Sequence, residues 1–288
     1  MGFEHDPIAD INQIRDLLEE QYGPESVPIE LLQNADDAGA SRVAFVAHAP
    51  VPASSSLLRD VPLLLVFNDG RFTRSDAGAL RRLRFGAKGG DVSTIGKYGL
   101  GLKSIFHLAE CYGWMSSPDH EGHETCVNLL NPWSDSRNHD GFHPDWGSAH
   151  LDDLLQVATA IARELSFERW LCIWAPLRAP SQIGKTRGIS DFVPPLHRGL
   201  PDCLCSTSTV REIATLLPLM RTVSRVMWID QLTSAPRTIA DLELEPGAQR
   251  RSEVSERDWT ERHRKERSFS GRGHLTYDGL VRQEVAYH

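Results

Sequence analysis

The sequence predicts an α+β fold, a mostly antiparallel mixed sheet with helices packed on one face. Three observations carry that expectation. Two helical stripes open the chain, two β-type apolar runs follow them directly, and a glycine-rich segment then leads into further strands and one strongly amphipathic helix.

Ile8, Ile11, Ile14, Leu17 and Leu18 recur at helical spacing over residues 8–21, and Gly23-Pro24 ends that helix. Pro28 stands where a proline opens a helix, so a second helix is expected over 28–38, closing at Gly39. RVAFVA (42–47) is rich in strand formers, and VPLLLVF (61–67) is nearly continuously apolar, as in a strand with a buried face. PVPASSS connects the two, and Asn68-Asp69-Gly70 marks a turn at the second strand's end. Thr73 or Ser75 caps a short helix over 75–84. The segment RFGAKGGDVSTIGKYGLGLKS (84–104) then runs into a helix over 101–109.

Strands are expected near 112–117, 125–130 and 170–177, with a turn-forming, aromatic-studded insert over 131–150. Leu151, Leu154, Leu155, Ala158, Ile161, Ala162 and Leu165 make the clearest amphipathic helix of the chain. Residues 190–210 read as loop, 211–225 as helix and 226–230 as strand, with final strand signals at 274–277 and 281–287. The expected organisation is a module over 1–188 and an extension over 189–288 that packs on or continues it.

The 288 residues are 40% hydrophobic and 24% charged, ordinary for a globular chain with a sizeable core. A net charge of −8 argues against nucleic-acid binding over the whole surface. The mixed-charge run over 249–272 reads as a solvated segment, with nucleic-acid contact as the sharper alternative. No apolar run reaches the roughly 18–20 residues of a membrane span, and the N-terminus lacks a signal-peptide pattern. Five scattered cysteines without a CxxC pair read as reduced thiols, so a cytoplasmic protein is expected. His120-x-x-His123 reads as structural rather than metal-binding.

Three segments carry the chemistry: ELLQNADDAG (30–39), LLLVFNDGRFT (63–73) and GKYGLGLKS (96–104). In the first, Glu30, Asn34 and Asp37 share one helical face. The third is neither a P-loop nor a dinucleotide fingerprint, because its Lys-Ser pair and its third glycine position are misplaced. Closely spaced glycines at a helix start nonetheless expose backbone N–H groups to an anion, with Lys97 and Lys103 as countercharges; a structural glycine turn is the competing reading. Asn34 offers an amide oxygen suited to Mg²⁺ beside phosphates, and Glu30 lies one helical turn away as a base for water. A carboxylate at the end of the buried strand would accept from an exocyclic amine of adenine, and Gly70 would let the base approach.

In this order the three segments resemble the N-box and the two glycine boxes of the GHKL ATPases, the gyrase, heat-shock chaperone, histidine kinase and MutL-type superfamily with the Bergerat fold. Within it, ELLQNADDAGA, VFNDGRFT and IGKYGLGLKSIFHL are similar to the sacsin-type ATP-binding module, over residues 8 to about 115. WAPLR (174–178) and LLPLMRTVSRVMWID (216–230) resemble later parts of it, and RFGAKGG with GKYGLGLKS is similar to the MORC ATPases.

The resemblance implies ATP and Mg²⁺ as ligands, with Glu30 as general base, Asn34 as metal ligand and Asp37 as a structural carboxylate near the phosphates. Gly96, Lys97, Tyr98, Gly99, Leu100, Gly101 and Lys103 would form the phosphate loop, and residues 85–98 a lid whose Lys88 approaches the γ-phosphate. The usual Asp-x-Gly-x-Gly becomes Asn68-Asp69-Gly70-Arg71-Phe72, and Asp69 is the expected base contact, with Asn68 as its competitor. The family works by closing over ATP, by pairing as a homodimer or larger assembly, and by slow hydrolysis that resets a chaperone-like switch acting on a protein client. A nucleotide-binding module without turnover and a MORC- or MutL-like DNA-handling ATPase are the alternatives.

Overall fold

A computed structural model describes residues 7–20, 23–51, 61–81, 101–124, 127–133, 152–178, 188–233, 236–244, 271–277 and 281–287. In chain order the elements are α1 (Pro7–Glu20), α2 (Ser26–Asp37), β1 (Arg42–His48), β2 (Leu63–Asn68), α3 (Arg74–Arg81) and a 3₁₀ helix (Gly101–His107). Then come β3 (Tyr112–Ser116), β4 (Asn128–Leu130), α4 (Asp152–Glu164), β5 (Leu171–Pro176), β6 (Leu196–His197) and β7 (Leu200–Pro201). The chain continues through α5 (Asp202–Cys205), α6 (Thr207–Leu216), β8 (Arg225–Gln231), β9 (Arg237–Leu244), β10 (Gly271–Tyr277) and β11 (Val281–Tyr287).

Nine strands form one sheet in the order β11-β10-β9-β8-β1-β2-β5-β3-β4. Every neighbouring pair is antiparallel except β1 and β8, which run parallel. The fold is therefore the α+β sandwich with a mostly antiparallel sheet that the sequence predicts.

β2 is apolar at nearly every position because it sits between β1 and β5 with both faces covered. Leu64 and Val66 join one core with the apolar sides of α1, α2, α3, the 3₁₀ helix, α5 and α6. Leu63, Leu65 and Phe67 join a second core on the opposite face. There the stripe Leu154, Ala158, Ile161 and Ala162 of α4 closes over the sheet, so a helix covers the face beyond the one expected to hold them all.

The stretch read as loop over 190–210 holds the β6–β7 hairpin, turned at Gly199 with φ of +80°, and the short α5. β9 has no counterpart in the sequence reading; only its Ile239, Ala240, Leu242 and Leu244 are buried, among charged neighbours. Because β8 lies against β1, residues beyond 189 continue the sheet that begins before them. Among the described residues no helix is long and apolar enough to cross a membrane. Cys111, Cys172, Cys203 and Cys205 are free, and burial pushes the thiols of Cys203 and Cys205 up to about 12, which keeps them unreactive.

Asp36 fixes α2 to the start of β8. Its carboxylate accepts from the backbone N–H groups of Arg221 at 2.9 Å, Thr222 at 2.7 Å and Val223 at 3.0 Å, and from the Thr222 hydroxyl at 3.0 Å. Burial alone would raise this carboxyl, but those donors together outweigh it and hold it below the usual carboxylate range.

Asp36→Ala is expected to cost on the order of 2–4 kcal/mol in urea denaturation at neutral pH, since it strands donors otherwise held by a charged acceptor. The folded carboxyl titrates below the unfolded one, so its contribution is complete above pH ~4 and is lost as pH falls through the folded value. The gap between wild type and Asp36→Ala should therefore hold from pH 7 down to about 4 and narrow below it.

Candidate functional site

The face of α2 read from the sequence lies between core and solvent: Glu30, Asn34 and Asp37 are each half-buried, while Leu31, Leu32 and Ala35 are buried. Asn34 lines a cavity whose walls come from Leu31, Ala35 and Ala38 of α2, Val66 and Asn68 of β2, Ile173 of β5 and Leu80 of α3. Leu102, at the start of the 3₁₀ helix, closes another side, and Phe72, Arg71 and Asp76 complete it. The cavity holds about 530 Å³ of empty space, part of it open to solvent. Its lining is mostly apolar with a few placed polar groups, the character of a small-molecule site.

Glu30 sits beside the cavity with its carboxylate against the Cα of Gly101, where any added Cβ would collide with Oε2. The absence of a side chain at 101 thus leaves room for the Glu30 carboxylate at the start of the 3₁₀ helix. Burial raises the Glu30 carboxyl above its ordinary value. Gly70 answers a second close approach: an added Cβ would lie 2.8 Å from Ala38 Cβ, and Arg71 N donates to Ala38 O at 2.8 Å.

The structure separates the two candidates for a base contact. Asp69 accepts from Ser41 N at 2.7 Å and Arg42 N at 3.1 Å, and from the Ser41 hydroxyl, and pairs with the Arg42 side chain at 3.6 Å. Its carboxylate is thus engaged at the start of β1. Asn68, 7% exposed, is the one that lines the cavity, and its Oδ1 accepts from Gly70 N at 3.0 Å. Phe72, where the resemblance expects a second glycine, is buried with its ring against His120.

Asp37 turns outward and pairs with Arg221. Lys103 is buried within the 3₁₀ helix. Lys88, Gly96, Lys97, Tyr98, Gly99 and Leu100 lie outside the described residues, as do the expected lid over 85–98 and residues 134–150 of the insert. Thr73 caps α3 as expected: Asp76 Oδ2 accepts from Thr73 N and Oγ1, both at 2.8 Å, and Thr73 Oγ1 accepts from Asp76 N at 3.3 Å. His120 Nδ1 accepts from Phe72 N at 3.2 Å, and among the described residues no three His, Cys, Asp or Glu side chains group as metal ligands.

Two residues that carry the site escaped the sequence reading. Arg178, its side chain fully buried, donates to Glu110 Oε1 at 2.6 Å, His107 O at 2.6 Å, Phe106 O at 2.9 Å, Ala109 O at 3.2 Å and Phe192 O at 2.8 Å. It collects carbonyls at the C-terminal end of the 3₁₀ helix whose first residue faces Glu30. Glu110 in turn accepts from Trp133 Nε1 at 3.1 Å and Ile189 N at 3.0 Å. The signal was an arginine and a glutamate, each flanked by apolar residues, in WAPLR and HLAEC.

The family model of the Sacsin domain matches residues 9–134. Over that stretch the chain is similar to the Sacsin domain. The matched stretch contains Glu30, Asn34, Asn68 and Gly101, while Arg178 and the turn 221–223 lie beyond it. Human Sacsin is 31% identical over 114 residues, 38% of this chain. The alignment takes in 2% of Sacsin's own length, so the chain spans a very small part of that relative.

Breaking the Arg178 cluster should be costly, because it strands a buried carboxylate and several carbonyls. Arg178→Met is expected to lower the free energy of unfolding by about 3–5 kcal/mol in chemical denaturation, whereas Arg211→Met, on the exposed side of α6, should stay within about 0.5 kcal/mol.

Proposed function

We propose that the sacsin-type module binds Mg-ATP in the cavity beneath α2 and hydrolyses it slowly, as the reset step of a conformational switch. The observation that carries this reading is the convergence at one cavity of Asn34, Asn68 and the start of the 3₁₀ helix, with Glu30 against Gly101.

Each group has a role suited to its position. Asn68 meets the base at the end of β2, and Val66, Phe72 and Leu102 supply apolar walls for its faces. Backbone N–H groups at the start of the 3₁₀ helix face the phosphates. Asn34 offers one neutral oxygen at the cavity wall, which fits Mg²⁺, a cation held by one or two protein oxygens together with waters and phosphates. Bound Mg²⁺ supplies neutralisation of phosphate charge. Glu30 orients and deprotonates the attacking water, and its raised pKa makes it a better proton acceptor. The switch would operate in a homodimer or larger assembly acting on a protein client, as the resemblance implies.

Titration calorimetry should show ATP and ADP binding tighter than about 1 mM with Mg²⁺ present, and no binding at that level would end the proposal. Glu30→Gln should lower phosphate release by about 10²–10⁴-fold with ATP affinity little changed, the loss typical of a removed general base. Gly101→Ala should act similarly by displacing the Glu30 carboxylate while the fold is retained. Wild-type turnover should fall on acidification through an apparent pKa above the 4.5 ordinary for glutamate. Phosphate release at background in both wild type and Glu30→Gln would leave nucleotide binding without hydrolysis, and measurable release unchanged in Glu30→Gln would remove Glu30 as the base.

A further inference from the structure

β11 ends the nine-stranded sheet, and among the described residues it pairs with β10 alone, from Val281 to Tyr287 without a shift in register. A strand of that length at a sheet edge presents a row of backbone N–H and C=O groups to a further strand. Sheets guard such edges with proline, lysine, a bulge or a very short strand. β4, at the other end of the sheet, has only 3 residues. β11 carries no proline, glycine or lysine.

The register with the interior of the sheet assigns each β11 position to a face. Val281 and Val285 stand opposite Tyr277 and Gly273, which stand opposite Ala240 and Leu244 of the helix-side core. Arg282 and Glu284 lie in the rows of Asp241 and Glu243, on the other face. Valines on one face and unlike charges on the other thus reach the edge together.

This edge is complementary to itself in one register. A second copy that pairs antiparallel about a two-fold axis normal to the sheet keeps both faces continuous. One β11 residue then stands opposite its own copy. Centred on Gln283, the register sets Arg282 opposite Glu284 twice and Val281 opposite Val285 twice. Unlike charges and β-branched residues directly opposite each other both favour a ladder. Centring on Glu284 opposes two glutamates, and centring on Val285 opposes no unlike charges.

We infer that β11 pairs with β11 of a second copy of this chain, antiparallel and centred on Gln283, so that two sheets join into one. This supplies a contact for the assembly proposed above and needs no nucleotide, so the failure of either reading leaves the other standing.

Sedimentation equilibrium of the full chain without nucleotide tests it. Wild type is expected to pass from monomer to dimer between about 1 and 200 μM, the weak range suited to a small interface. Arg282→Glu or Glu284→Arg alone sets like charges opposite each other and should weaken association about tenfold or more. Within one chain these positions oppose Thr276 and His274, so neither change reverses an arginine–glutamate pair inside the fold. Mixing the two variants restores unlike charges at each position and should return association to within about threefold of wild type. Gln283→Cys reads the register without any change of charge. It should form an interchain disulfide on mild oxidation, because residue 283 meets its own copy, whereas Val285→Cys should not. A wild type that stays monomeric to about 200 μM would overturn the inference. So would a dimer indifferent to both charge reversals, or one that cross-links through position 285 in place of 283.

Discussion

Asp36 accepts hydrogen bonds from three successive backbone N–H groups at the entry to β8, although it occupies the last turn of α2. A carboxylate there opposes the helix dipole, whose C-terminal end is negative. Donors from elsewhere in the chain must therefore outweigh that repulsion, and residues 221–223 supply them. The interaction sets the rotation of α2 about its own axis. At 3.6 residues per turn, directing Asp36 to that turn sends Asp37 outward to Arg221 and Asn34 toward the cavity. Asp69 does the same for the neighbouring strand, gathering the N–H groups of Ser41 and Arg42 at the start of β1.

The opposite side of the site is held by the complementary device. Arg178 gathers carbonyls where Asp36 gathers N–H groups, and Glu110 balances its charge. Both clusters satisfy a buried charge with backbone groups, which keeps desolvation affordable and makes the geometry specific. Glu30 and Gly101 meet because α2 and the 3₁₀ helix are each fixed at the end away from that contact. Under the proposed function, rigidity of this kind would suit a base that must hold a water in line with a phosphate.

Local pattern disclosed much of this, and long-range pairing did not. The apolar run of β2, the stripe of α4 and the polar face of α2 are periodic signals within a few residues, and each element stands close to its expected place. The parallel pairing of β1 with β8 joins Arg42 to Arg225 across most of the chain, which no local spacing encodes. β9 was hidden because Arg237, Asp241 and Glu243 interrupt its apolar residues. At the candidate site, the shared face of Glu30 and Asn34 and the opening of a helix at Gly101 were readable from residue type and spacing. The choice between Asn68 and Asp69 was not, since it turns on which side chain the Ser41–Arg42 backbone engages. Asp36 carried a usable sign in its unfavourable place at a helix C-terminus, a sign without meaning until the turn 221–223 is seen beside it.

A structure of the chain with Mg²⁺ and a non-hydrolysable ATP analogue tests the central claim most directly. The base should lie against Asn68 among Val66, Phe72 and Leu102, the metal on the Asn34 amide oxygen, and the terminal phosphate between Glu30 and the N-terminal end of the 3₁₀ helix. An analogue bound away from this cavity, or seated in it with its phosphates turned away from Gly101, would contradict the claim.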